Sequence, residues 1–109
     1  MDIKKLEEII VNFRDERDWK QFHSPKNLAI SLSIEAAEIL EHFQWQEKCK
    51  NKEELKYELA DVLAYLLLLA KETDIDLEQA FLEKMKINNE KYPSEKVKGS
   101  SKKYTEYEN

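Results

Sequence analysis

An all-α fold is predicted by three features of the sequence. The chain has one glycine and two prolines in 109 residues, far too few for a fold rich in turns. Apolar residues recur at spacings of three and four, the period of a helix that buries one face. Ser24-Pro25, Asn51 and Asp76 stand between these runs, and such residues open helices. Sandwiches, barrels and glycine-rich phosphate loops are disfavoured on the same grounds.

The first helix starts near Asp2, with Leu6, Ile9, Ile10 and Phe13 on one face, and fades around "RDERDW". A short connection, "WKQFH", follows. Ser24 can cap free backbone amides and Pro25 suits the first helical position, so the second helix runs from Pro25 to about Phe43. Asn51 with Glu54 resembles a capping box for a third helix reaching about Glu72. Asp76 with Gln79 does the same for a fourth, Leu77 to about Lys91, which Pro93 stops. These four helices suggest a bundle-like single domain over 1–109. Its polar tail, 94–109, is expected to be irregular, tied down through Tyr104 or closing over a site.

The third helix is apolar all round from Leu59 to Ala70 apart from Asp61, and a helix of that kind needs partners on every side. The second carries an extra apolar strip, Ile30 and Ile34, away from Leu28, Leu32, Ile39 and Phe43. A lone chain of this size can hardly bury both, so a homo-oligomer, dimer or tetramer, is expected. The alternative cover is the tail or the first helix.

Composition narrows the function classes. A formal charge of −5 with 38% charged residues argues against binding a nucleic-acid polymer or a membrane surface. The longest apolar run, Val62 to Ala70, is too short to span a bilayer. One cysteine, Cys49, forms no internal disulfide, and the N-terminal stretch has no signal-peptide core. A soluble, cytoplasmic protein is the expectation.

The chemistry lies in the acids. In "IEAAEILEHFQW", Glu35 and Glu38 are i, i+3 on one helix face, and Glu35 lies about 20° around the wheel from Leu28. In "ELADVLAYLLLLA", Glu58 has Val62, Tyr65 and Leu69 within about 40°, and Asp61 lies one turn on. Carboxylates brought together near apolar neighbours are costly unless protonated or neutralised by a cation. Oxygen-only ligands suit Mg²⁺ or Mn²⁺, and no Glu-x-x-His pair points to di-iron chemistry. A single ExxE means little, and Glu7, Glu8, Glu53 and Glu54 read as solvated surface. Two such pairs on successive helices are a candidate metal site.

ExxE at 35–38 followed by ExxD at 58–61 in an all-α chain of this length resembles the MazG-like nucleoside triphosphate pyrophosphohydrolases. The likeness extends through "ERDWKQFHSPKNLA", "EAAEILEHFQW", "ELADVLAYLL", "KMKINNEKYP" and "KGSSKKYT", which together are similar to the dCTP pyrophosphatase branch. The resemblance implies a MazG-type fold and hydrolysis of a (deoxy)nucleoside triphosphate to its monophosphate and pyrophosphate. Glu35, Glu38, Glu58 and Asp61 would hold Mg²⁺ and serve catalysis, with Mn²⁺ as a substitute. Which of them is the base stays open.

By the same resemblance, the stretch Trp19, Lys20, Gln21, Phe22 and His23 lines the nucleotide pocket, as do Trp45 and Tyr65. Aromatic faces suit base stacking, although tryptophans alone would read as core. Lys84, Asn88 and Tyr92 form an i, i+4, i+8 stripe suited to phosphate, sugar or base contacts. Two positions depart from the family pattern. Ala37 stands where glycine is frequent, and Ile10 stands where dCTP-specific relatives carry a histidine, which leaves the base preference open. A phosphoribosyl-ATP pyrophosphatase-like enzyme and a non-catalytic acidic helical interaction module remain the alternatives.

Overall fold

A computed structural model describes residues 1–99. Its α-helices are α1 (Ile3–Glu16), α2 (Pro25–Ile39), α3 (Lys52–Glu72), α4 (Leu77–Lys91) and the single turn α5 (Ser94–Val97). The all-α expectation holds. The segment after Pro93 departs from the expected irregular tail, because 94–97 close one helical turn. Tyr104 lies outside the described residues. The chain divides into two compact units, one ending at Asp76 and one beginning at Leu77.

The caps read from the sequence at Ser24 and Asn51 form, and Asp2 caps α1 as well. Asp2 Oδ1 accepts from the Lys5 amide at 3.0 Å, and Ser24 Oγ from the Asn27 amide at 3.1 Å, with Pro25 in the first turn of α2. Asn51 Oδ1 accepts from the amides of Glu53 and Glu54 at 3.1 and 3.2 Å. Each cap satisfies amides that the first helical turn leaves without partners, typically contributing about 1 kcal/mol. At the other end of α3, Thr73 Oγ1 donates to the Leu69 carbonyl at 2.8 Å.

In the first unit, α2 packs on α3 and α1 packs on α3. Leu28 of α2 is only 1% exposed, and Leu67, Leu68 and Ala70 of α3 are buried with it. Each fully buried leucine contributes roughly 1.5–3 kcal/mol. Arg14, the one buried residue of α1, bridges to α3 through Glu72.

The second helix ends earlier than its sequence pattern implies. After Ile39 the backbone tightens into a 3₁₀ turn, Leu40–Phe43, which buries His42. The His42 carbonyl accepts from the Lys50 amide at 3.0 Å and so anchors the connection to α3. The WKQFH connection likewise forms a 3₁₀ turn at Lys20–Phe22. Ile30, Ile34, Leu59 and Leu66, the apolar strips expected to need cover, are exposed in the chain. Among the described residues, no helix is long and apolar enough to cross a membrane.

The second unit holds α4 and α5. α4 spans the residues read from the sequence and ends just before Pro93.

Candidate active site

A cavity of about 190 Å³ opens in the first unit. Arg14 and Phe13 of α1, Trp19 and His23 of the connection, Glu35 of α2, and Asp61 and Tyr65 of α3 contribute to its walls. The aromatic wall is held firmly. The Phe13 and Trp19 rings meet edge to face at 5.8 Å, and the Arg17 guanidinium lies 3.6 Å over Phe13. Such contacts favour a fixed ring over a mobile one.

The acids define the opposite chemistry. Glu35 is half-buried, and its carboxyl is pushed above the ordinary value first by burial, then by Glu38, Asp61 and Glu58. The charges of Glu38, Asp61 and Glu58 therefore all reach Glu35 across α2 and α3. They are less enclosed than expected: Asp61 is exposed and the other three are half-buried. Glu58 Oε2 lies 2.5 Å from His42 Nε2, which turns that carboxylate toward the 3₁₀ turn. Among the described residues, no three histidine, cysteine or acidic side chains converge as a ligand set for a metal. The donor chemistry nevertheless fits a hard divalent cation, because all four are carboxylates and the charges of three of them bear on Glu35.

The other expected residues divide clearly. Trp19, His23 and Tyr65 join Glu35 and Asp61 at the cavity. Lys20, Gln21 and Phe22 are exposed, and Gln21 Nε2 donates to the Asp18 carbonyl at 2.9 Å. Trp45 is 91% exposed, with φ at +71°, a left-handed conformation uncommon for an aromatic residue. Lys84 and Asn88 lie on α4, with Tyr92 just past its end, in the second unit.

Two functional candidates escaped the sequence reading. Arg14 lines the cavity while its Nη1 donates to Glu72 at 2.7 Å and its Nε to Asp15 at 2.9 Å. His42 holds Glu58. Arg14 follows Ile10 by one turn on the apolar face of α1, and that periodicity could have exposed it. Burial and the Arg14 charge lower the His23 pKa, while Glu72 opposes the shift.

Fold and site together define a small all-α protein with an aromatic- and acid-walled cavity. The model of the MazG-like family matches residues 30–107, and the chain belongs to that family. Human dCTP pyrophosphatase 1 is 41% identical over 114 residues, and the mouse protein of the same name is 40% identical. Each alignment covers 96% of this chain, and the chain spans 65% of the length of these relatives. The crystal structure of a pyrophosphatase from Archaeoglobus fulgidus superposes with a TM-score of 0.76 at 44% identity. That match covers 83% of this chain and 91% of the archaeal one.

Proposed function

We propose that this chain is a divalent-cation-dependent nucleotide pyrophosphohydrolase. It converts a (deoxy)nucleoside triphosphate, with dCTP or a related pyrimidine favoured, to the monophosphate and pyrophosphate. The observation that carries this reading is Glu35: it shares a cavity with Trp19, Asp61 and Tyr65, while burial and then three further carboxylates raise its proton affinity. The names of the human, mouse and archaeal relatives support the same class of reaction.

Glu35, Glu38, Glu58 and Asp61 would hold Mg²⁺, or Mn²⁺ in its place. When bound, the cation offsets phosphate charge and polarises phosphorus toward attack. A carboxylate oxygen not engaged by the cation would take the proton from the attacking water, a role open to any of the four. Water adds to phosphorus, the bond between the α and β phosphates breaks, and pyrophosphate leaves. His42 fixes one oxygen of Glu58, leaving Oε1 for ligation.

Trp19 and Tyr65 offer faces to the base. Trp45 holds a strained backbone and an exposed ring, a pairing suited to ligand contact rather than packing. For Lys20, Gln21, Phe22, Lys84, Asn88 and Tyr92, nucleotide contact is proposed on sequence spacing and family likeness. A second copy of the chain would cover Ile30, Ile34, Leu59 and Leu66, giving a dimer or tetramer.

A panel of nucleoside triphosphates assayed with Mg²⁺ for pyrophosphate release tests the reading. Release from dCTP is expected, together with loss of turnover and retention of helical content in Glu58→Gln. Near wild-type turnover in that variant would remove Glu58 from the machinery. Mg²⁺ binding without pyrophosphate release from any nucleotide would refute hydrolysis.

A further inference from the structure

His42 links the two stretches of chain that carry the acid pairs. It lies in the 3₁₀ turn that follows α2, the helix of Glu35 and Glu38, and its ring reaches across to Glu58 of α3. The His42 side chain is 8% exposed, against 25% for Glu58. Its backbone is held separately, through the carbonyl that accepts from the Lys50 amide. An ionised carboxylate only accepts, so His42 Nε2 carries the hydrogen and donates to Oε2 at 2.5 Å. For packing alone an apolar side chain would serve as well in this buried place, because Glu58 has water within reach.

The contact makes the two oxygens of Glu58 unequal: Oε2 is engaged by a buried ring, and Oε1 is the one left to a cation. Divalent ions differ in how they use a carboxylate. Mg²⁺ demands a near-octahedral set at about 2.0–2.1 Å and keeps several waters, so single oxygens serve it. Ca²⁺ gathers about 6–8 oxygens at about 2.3–2.6 Å and readily takes both from one carboxylate.

We propose that His42 is a positioning residue that restricts Glu58 to one ligating oxygen and thereby sets the preference of the site for Mg²⁺ over Ca²⁺. This inference rests on the reading of Glu58 as a cation ligand and deepens it, by naming the residue behind the choice of metal. Hydrogen-bond partners of ligating carboxylates orient them before the ion arrives, and their loss typically weakens binding about 10–100-fold. Without His42, Glu58 is free to turn about its side-chain torsions and offer both oxygens, which favours the larger ion.

The test titrates Mg²⁺ and Ca²⁺ separately into nucleotide-free protein by calorimetry, with circular dichroism confirming that each variant is folded. His42→Leu removes the donor and fills the space, and His42→Gln places an amide nitrogen close to where Nε2 stood. Relative to wild type, the Mg²⁺-to-Ca²⁺ affinity ratio is expected to fall about tenfold in His42→Leu and to stay within about threefold in His42→Gln. In a Glu58→Gln background, adding His42→Leu should leave the ratio unchanged, because His42 acts through Glu58. An equal ratio in wild type and folded His42→Leu overturns the inference, even where the wild type releases pyrophosphate from dCTP. A ratio that falls just as far in the Glu58→Gln background overturns it too, since His42 would then act without Glu58. The expected pattern in a protein that releases no pyrophosphate supports the role of His42 and refutes hydrolysis instead.

Discussion

Replacing Glu72 with glutamine isolates what the Arg14 pair contributes to the fold. Arg14 is 3% exposed and Glu72 18%, so removing one partner has a different consequence from removing the other. In Glu72→Gln the guanidinium stays buried, with only the half-exposed Asp15 at 2.9 Å left to balance it. Stranding one member of a buried pair costs about 3–5 kcal/mol, and Asp15 offsets part of that, leaving about 2–3 kcal/mol. In Arg14→Met the remaining charge, Glu72, is closer to solvent and methionine fills much of the vacated volume, so the cost falls to about 1 kcal/mol. Urea denaturation followed by circular dichroism at 222 nm measures both. The Glu72→Gln loss corresponds to a drop in Tm of roughly 10 °C or more for a chain of this length. The double variant should lose less than the sum, since neither charge is stranded. Equal small losses, below about 0.5 kcal/mol in each single variant, would refute the argument that this pair is desolvated.

Glu35 gives a pH dependence with a definite sign. Its folded pKa lies above the ordinary value of 4.5, so the folded state binds the proton more tightly than the unfolded one. Metal-free protein should therefore lose stability as pH rises from about 4.5 through the raised folded pKa. Glu35→Gln should be more stable than wild type at neutral pH without Mg²⁺, with the advantage vanishing on acidification. Thermal melts across that range check this, and a wild-type advantage at pH 7 in EDTA would contradict it. Trp45→Ala should weaken nucleotide affinity about tenfold while leaving Mg²⁺ binding and Tm almost unchanged, because the ring is exposed. Equal nucleotide affinity in calorimetry would remove Trp45 from the site. Sedimentation should give a dimer or tetramer, and a stable monomer at micromolar concentration would leave Ile30, Ile34, Leu59 and Leu66 without their proposed cover.

Local rules carried much of the fold. The Ser24, Asn51 and Asp2 caps act over three residues or fewer, so a linear reading captures them. The acid pairs were legible for the same reason: helical spacing places Glu35 with Glu38 and Glu58 with Asp61. The end of α2 was not. Leu40 to Phe43 continue the apolar pattern, yet the backbone tightens there to bury His42, and no glycine or proline marks the change. Arg14 was hidden because its partner, Glu72, is 58 residues away. A charged residue on an apolar face signals a buried pair only after the second helix is known. The positive φ values of Asp18, Trp45 and Asp74 likewise belong to the turns that the chain must make, with no glycine to announce them.

Titration calorimetry of Mg²⁺ into wild type and into Glu35→Gln, Glu38→Gln, Glu58→Gln and Asp61→Asn tests the shared-cation claim most directly. One saturable binding event in wild type, weakened at least tenfold by each substitution, is the expected result. Binding that is absent from wild type, or identical in all five proteins, would show that these carboxylates do not act together on a cation.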